Sequence, residues 1–513
     1  MKVDGGICRA DGRAWAGRSG GGPAEPNPGL VGAWTCRSAR SSPGGHCPAG
    51  ARLHRSRKDG FILVGVLVVV MLASMVAISL MFQMRVEEES TSAGLGGHHA
   101  WAAAMAGVRK AMRSLSTNEL ETIDWRDNPD YFRAQPVFDD GSEQWRFTVF
   151  TGSGDLDAPI RHGLSAEAGK LNVNVATEEA LNALPAVEPI LSQALLDFID
   201  EDNLPNPEGA EQAYYDTLAR PYQIHNGPLK TLDELLLVRG FTKAILYGED
   251  ANQNFRLDAN EDDGEARFPP DNANGALNAG LRPYLTVVSY EPNLTAGGEA
   301  RAVIDDASSA LPTNGLPDLT VEFIEALRRN KAPVGHPAAL LEETRTLKDE
   351  EGKEREYSSG VGVEELPAAL DLMSDTNAPT LFGKIHVGAA SAAVLQTIPG
   401  IDESLAEAIV SARAGLTEEQ LQTPAWLFSE GVVDAELFRK IAPRLTARGY
   451  QYSFRVLGYG ARSGQFRLLE VIVDTAGGDP RVIYLRDLTR LGLPFEVDSE
   501  AELSAGDAVG GAF

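Results

Sequence analysis

Phe61-Ile-Leu-Val-Gly-Val-Leu-Val-Val-Val-Met-Leu-Ala-Ser-Met-Val-Ala-Ile-Ser-Leu-Met-Phe82 is a run of 22 residues without a charge. Wound as a helix at about 1.5 Å per residue, such a run crosses a hydrocarbon layer of ~30 Å. A cleaved secretory signal has a shorter apolar stretch with a small-residue cleavage site behind it, whereas here Gln83, Met84 and Arg85 follow at once. The stretch reads as one spanning helix. Arg52, Arg55, Arg57 and Lys58 precede it and Glu87, Glu88 and Glu89 follow it, which by the positive-inside rule puts the N-terminal side in the cytoplasm and the bulk of the chain outside.

On the cytoplasmic side, residues 1 to 50 are rich in Gly, Arg, Ser and Pro and show no hydrophobic period, so no fold is expected there. The three cysteines, Cys8, Cys36 and Cys47, all lie in this part and leave no disulfide framework for the rest. Beyond the span, Trp101, Met105, Val108, Met112 and Leu115 recur on one helical face, so the helix is expected to continue, with a bend or break at Gly94, Gly96 and Gly97. Strands are expected at Gln144–Thr151, Tyr284–Tyr290, Tyr452–Leu457, Leu468–Asp474 and Arg481–Leu485, separated by long helical text. That pattern suits an α+β domain whose antiparallel sheet is opened by insertions and completed by the last strands.

The whole chain of 513 residues carries a net charge of −27, and the ten basic and four acidic groups of residues 1–60 leave −33 on the remainder. A charge of that sign works against broad contact with nucleic acid or anionic lipid. The eight histidines are scattered and offer no metal-ligand spacing. No nucleophile, histidine partner or phosphate-cradling glycine run accompanies the carboxylates, so no enzyme is expected.

Gly169-Lys-Leu-Asn-Val173 is echoed by Gly383-Lys-Ile-His-Val387 at an offset of 214, and the echo continues through Ala176 and Ala390, Leu181 and Leu395, Pro185 and Pro399, Leu195 and Ile409. Each copy reads as a strand-like entry, a helix, a tight turn and a second helix, which resembles the helix-hairpin-helix unit. In the DNA-binding form of that unit a Gly-apolar-Gly turn lets backbone amides reach a phosphate. Here the turns are Pro185-Ala-Val-Glu188 and Pro399-Gly-Ile-Asp402, with a carboxylate in place of the second glycine. A membrane-tethered DNA-binding or uptake protein is the alternative function, and the charge stands against it.

The most specific pattern is Asp250-Ala-Asn252-Gln-Asn254-Phe-Arg256-Leu-Asp258-Ala-Asn260-Glu261. Set on a twelve-residue EF-hand loop, Asp250, Asn252, Asn254, Asp258 and Glu261 fall at oxygen-ligand positions, and Arg256 at the position that gives a backbone carbonyl. Hard cations need six to eight converging oxygens, so calcium is the expected ion. The sharp-turn glycine of such loops is replaced by Phe255, a residue disfavoured at positive φ. Asp271 either belongs to a second ion or forms a turn. Asp197, Asp200, Asp202 and Glu211 make a further carboxylate cluster, read as helix caps that order the following loop, with a cation as the other possibility.

The junction Arg57-Lys-Asp-Gly60-Phe61 resembles a prepilin processing site, at which a prepilin peptidase cuts after Gly60 and Phe61 becomes the methylated first residue. The fifth position from that cut is Gly65, where most pilins have Glu. With Asp197-Phe-Ile-Asp200, Gly209-Ala-Glu211, Tyr214, Asn226 and Leu232-Asp-Glu-Leu235, these features resemble the K-type minor pseudopilins of the type II secretion system, general secretion pathway protein K, over roughly residues 55 to 290. The resemblance implies a pilin-like long N-terminal helix packed on an antiparallel sheet with a large inserted helical domain, bound calcium, and a single-pass inner-membrane protein with a periplasmic bulk. It implies a non-enzymatic tip-capping role in protein secretion, with I-type and J-type minor pseudopilins, other pseudopilins and the secretion machinery as partners. The expected order is a basic leader over 1–60, the span over 61–82, helix continuation and first strands over 83–168, and the inserted domain with the calcium-like loop over 169–280. A sheet strand over 281–292, an acidic linker over 293–382, a second hairpin unit over 383–447, closing strands over 448–495 and a flexible tail over 496–513 follow.

Overall fold

The computed structural model describes residues 59–116, 124–141, 143–154, 158–312 and 314–497, and the side chains of 59–62 and 88–93 are outside that description. Most of the leader expected over 1–60 and of the tail expected over 496–513 lies outside the described residues. The chain divides into two compact units, Met1–Ser79 and Leu80–Phe513. In the first, the described residues are helical from Asp59 onward. This is the start of α1 (Asp59–Ser114), in which Gly60 and Phe61 have helical backbone. Leu63–Glu87, 25 residues, is long and apolar enough to cross a membrane by length and composition, and none of it is buried.

The second unit is built on a seven-stranded antiparallel sheet: β1 (Gln135–Asp139), β2 (Gln144–Gly152), β3 (Ile160–Arg161), β4 (Ser165–Ala166), β5 (Gln451–Gly460), β6 (Phe466–Asp474) and β7 (Arg481–Asp487). The order is β1-β2-β5-β6-β7, with β3 added to β2 and β4 to β5. The first and last strands of the chain therefore meet in one sheet, Phe147 opposite Gly458 and Val149 opposite Val456. The end of α1 covers one face, where Ala104, Val108, Ala111 and Leu115 pack with Phe147, Val149, Val456 and Val471.

The buried stripe of α1 differs from the one its large residues suggest. Trp101 is exposed, Met105 and Met112 flank the contact, and Ala100, Ala103, Ala104 and Ala111 are fully buried. Small side chains win this face because the sheet comes so close: a Cβ on Gly458 would sit 2.3 Å from the Ala100 carbonyl oxygen and 2.4 Å from the Ala104 nitrogen. The helix runs on through the glycines at 94, 96 and 97 without the break that is the stronger form of the expectation. Gly96 and Gly97 are instead where the Gln465 and Arg467 side chains cross the helix, at 1.6 Å and 3.1 Å from the places a Cβ would take.

Residues 167–450 leave the sheet after β4 and return at β5, although these two strands are themselves paired, Ala166 with Tyr452. This segment holds a second, larger core that includes Leu181, Leu195, Phe198, Phe323, Leu395 and Phe438. At the offset of 214, the helices α2 (Glu178–Asn182) and α3 (Pro189–Ile199) correspond to Ala392–Leu395 and Glu403–Arg413. Each copy opens with a two-residue strand, Leu171–Asn172 paired in parallel with Leu285–Thr286, and Ile385–His386 with Leu445–Thr446.

Two expectations for the middle of the chain fail. Only Leu285–Thr286 of the strand expected over 281–292 pairs as a strand with the first copy, Glu291–Pro292 pairs with Thr380–Leu381, and neither joins the main sheet. The backbone groups of the apolar run are taken up locally by these short pairs, so its length does not produce a sheet strand. The acidic linker expected over 293–382 is folded: Ala302–Val303 pairs in parallel with Met373–Ser374, and Ile304, Phe323, Leu340 and Leu366 are buried. Its mixed-charge run, Lys348 to Glu356, spans the turn of a hairpin between Thr344–Lys348 and Glu354–Ser358, whose charges stay in solvent while Leu347 and Tyr357 turn inward.

Candidate functional site

The loop from Glu249 to Asn278 begins where the short helix Lys243–Tyr247 stops at Gly248, whose φ of +63° reverses the chain. Asp250, Asn254 and Glu261 are buried. Asp250 accepts from the amides of Asn254 at 2.8 Å and Phe255 at 3.1 Å, Asn252 Oδ1 from Asn254 N at 3.1 Å, and Asn254 Oδ1 from Arg256 N at 2.7 Å. Asp258 Oδ2 receives the side-chain amides of Asn252 at 2.7 Å and Asn254 at 2.9 Å. Glu261 closes the loop by accepting from Ala251 N at 3.1 Å and Asp258 N at 3.2 Å. All five side-chain ligands expected from the sequence are thus tied into one turn, with Asn252 and Asn254 bridging the acids.

Burial disfavours the charged form of two of the loop's acids. Burial pushes the Glu261 carboxyl up to about 7, partly opposed by the Asp258 amide and reinforced by the Asp250 charge. Burial also raises Asp250 against the amides of Phe255 and Asn254. Asp271, by contrast, is held low: a slight burial penalty is outweighed by the amides of Gly264, Ala273 and Asp263, so it forms a turn. Glu249 is likewise occupied, by Asn272 at 3.0 Å and Asn278 at 3.1 Å.

Phe255 does adopt the left-handed conformation that the missing glycine would have eased, with φ +67°. Its ring explains the exchange. It packs with the Phe150 and Leu457 cluster on the face of the sheet away from α1, lies under the Arg455 guanidinium at 4.1 Å, and meets β2 where a Cβ on Gly152 would be 2.8 Å away. Docking of this partly buried aromatic ring offsets a backbone cost of about 1–2 kcal/mol.

Arg455 also donates to the Gln253 carbonyl and stands 3.5 Å from Glu470. Glu470 pairs with Arg282, which lies 3.8 Å from Asp233, and Asp233 is 2.5 Å from Arg486 of β7. Burial works against the Glu470 charge, yet Arg282 and Arg455 hold its carboxyl down at about 2. These five charged groups latch the loop and its helices to β5, β6 and β7. Sequence reasoning missed them, although Arg455 in Phe454-Arg-Val-Leu457 and Glu470 in Leu469-Glu-Val471 are lone charges in apolar strands, a pattern that asks for a buried partner.

Elsewhere, the structure brings Asp197, Asp200 and Glu211 together, with one carboxylate oxygen of each within 4.8 Å of the others. Asp202 is apart, accepting from Leu204 N at 2.7 Å. Asp197 orders the following turn through the backbone and side-chain amides of Asn206, but the capping role expected of Glu211 fails: it stands at the N-cap of Gln212–Tyr215 without a side-chain cap bond. In the two turns, Ala186 has φ +61° and Gly400 φ +105°, at matching positions. Asp402 caps its own helix through Leu405 N at 2.8 Å, which occupies the helix N-terminus that a phosphate would need.

Residues 169–247 match the family model described as Type II secretion system (T2SS), protein K. The type II secretion system protein K of Aeromonas hydrophila is 28% identical over 209 residues, which cover 37% of this chain and 61% of that relative. A loose likeness, with a TM-score of 0.35 and 12% identity, joins 79% of this chain to 99% of a chain in the crystal structure of the GspK-GspI-GspJ complex from the enterotoxigenic Escherichia coli type 2 secretion system.

Proposed function

We propose, from the chain's membership in the type II secretion system protein K family, that it is a non-enzymatic minor pseudopilin anchored in the inner membrane with its bulk in the periplasm. The observation that carries this reading is the division of labour along α1. Leu63–Glu87 is bare and apolar enough to span, and Ala100–Ala111 is packed on an antiparallel sheet by small side chains, with the matched domain inserted between paired strands of that sheet. A lone spanning helix drives lateral assembly in the bilayer. Gly65 removes the carboxylate with which most pilins set register against a neighbour, which suits a subunit with none above it. Tip capping together with I-type and J-type minor pseudopilins follows from that geometry, and processing by prepilin peptidase after Gly60, with methylation of Phe61, precedes it.

In this reading the loop at 250–261 takes calcium. Asp250, Asn252, Asn254, Asp258, Glu261 and the Arg256 carbonyl would hold it, and the ion would offset the cost of burying the Asp250 and Glu261 carboxylates. The two turn-and-helix repeats act as helix-hairpin-helix-like packing modules. Co-purification tests the assignment: a tagged full chain expressed with the I-type and J-type minor pseudopilins of its own system elutes with both. Elution of the chain alone, while the other two associate, overturns it.

A further inference from the structure

We propose that the cavity between the sheet and the inserted segment is a binding site for a neutral sugar. Its volume is about 580 Å³, within the roughly 300–1,000 Å³ of small-molecule sites. Arg455 of β5 and Glu470 of β6, opposite each other in register, line it on the sheet face away from α1. Gln253, Phe255 and Leu257 of the loop add a wall, Tyr284 extends it, and Ala389 and Ser391 at the second repeat complete the lining. The cavity therefore exists only where the sheet, the loop and the second repeat come together, the kind of junction at which ligand sites are common.

Size alone does not make a site, but three polar atoms on this lining supply a second observation. Gln253 Oε1, Glu470 Oε2 and Arg455 Nε are buried and have no hydrogen-bond partner among the described residues. Unmet buried groups are costly, and three of them on one cavity ask for a guest that satisfies them. They are close together, since Arg455 donates to the Gln253 carbonyl and stands 3.5 Å from Glu470. Two are acceptors and one is a donor, so the guest brings at least two donors and one acceptor within a short span. Adjacent sugar hydroxyls, each a donor and an acceptor at once, supply this combination, and an acetamido group beside a hydroxyl does so too. The charges around these atoms are already met inside the protein, Glu470 by Arg282 and Arg455, Lys170 by Glu167, and Asp250 by the amides of Asn254 and Phe255, which favours a neutral guest. Phe255, Leu257 and Tyr284 give its apolar face a surface to lie against. An extended peptide is the poorer match: β5 and β6 are paired on both sides, so the sheet offers no free strand edge there for main-chain pairing.

The test is saturation-transfer NMR with isothermal titration on the full chain, held in a detergent without a sugar headgroup and at one fixed calcium concentration. Glucose, N-acetylglucosamine and its disaccharide chitobiose are the probes, and at least one of them binds. Gln253→Ala removes an oxygen that makes no bond within the protein and weakens that binding about tenfold. Ala279→Phe, at a half-buried position on the lining, fills the cavity and abolishes binding. Near-UV circular dichroism verifies that each variant is folded, and either one alone is decisive. Absence of transfer to all three sugars overturns the proposal, because the cavity would then hold water only. Binding that Ala279→Phe leaves unchanged overturns it too, since the sugar would lie elsewhere. A neutral, end-capped trialanine peptide that binds where the sugars do not, and is blocked by Ala279→Phe, gives the cavity to peptide and also overturns it. No secretion partner enters the measurement, so its failure is separable from failure of the pseudopilin assignment.

Discussion

Glu470 shows how much one side chain holds in place. It sits on β6 between Arg282 and Arg455, and its loss leaves the buried Arg455 guanidinium without a paired carboxylate and Arg282 with only Asp233 at 3.8 Å. Glu470→Gln is expected to destabilise the chain by about 3–5 kcal/mol in denaturant titration. Its folded pKa of about 2 lies below the ordinary carboxylate value, so its contribution is fully present above pH ~4.5 and is lost as pH falls toward 2. The stability of Glu470→Gln should therefore slope less steeply than that of the parent chain across this window. In the loop, adding calcium at 100 times its dissociation constant should raise unfolding free energy by about 2.7 kcal/mol at that site, and Asp258→Asn should reduce the gain in melting temperature. The loop was legible from its spacing of Asp and Asn because ligands in a short turn are close in sequence. The latch was not, since Glu470 and Arg282 meet across 188 residues, and only the oddity of a charge in an apolar strand marks them.

Among the elements, α1 and the sheet make the sharpest case for close approach. Gly458→Ala would place a methyl group 2.3–2.9 Å from backbone atoms of Ala100 and Ala104, which cannot move aside without lifting the helix. Thermal denaturation should register a loss of about 3 kcal/mol or more, in the range of overpacked cores. Gly94→Ala, in the same helix with open space around it, should instead be neutral or stabilise by up to about 1 kcal/mol. If both substitutions act alike, the small-residue contact is not what seats the helix. Strands β2, β5, β6 and β7 were readable because their apolar content and flanking turns are local. The true buried stripe of α1 was hidden, because alanine and glycine carry little hydrophobic signal and their value lies in what the sheet brings near. The module around Phe323 was hidden for a related reason: its hairpin wears its charges outward and buries few large side chains.

For the molecule as a whole, the paired strands β4 and β5 bracket everything between 167 and 450, so the inserted segment can be elaborated without disturbing the sheet register. The charge of −33 beyond residue 60 and the self-capped turn at Asp402 imply that the full chain shows no salt-sensitive affinity for double-stranded DNA in a filter-binding assay at low salt. Micromolar binding that weakens with salt would contradict this. The assignment as a membrane-anchored pseudopilin is tested most directly by mass spectrometry of the N-terminal peptide of the protein extracted from its native membrane. The expected result is a chain that starts at a methylated Phe61; a chain that still carries the residues before Gly60, or one recovered without the apolar helix, would contradict it.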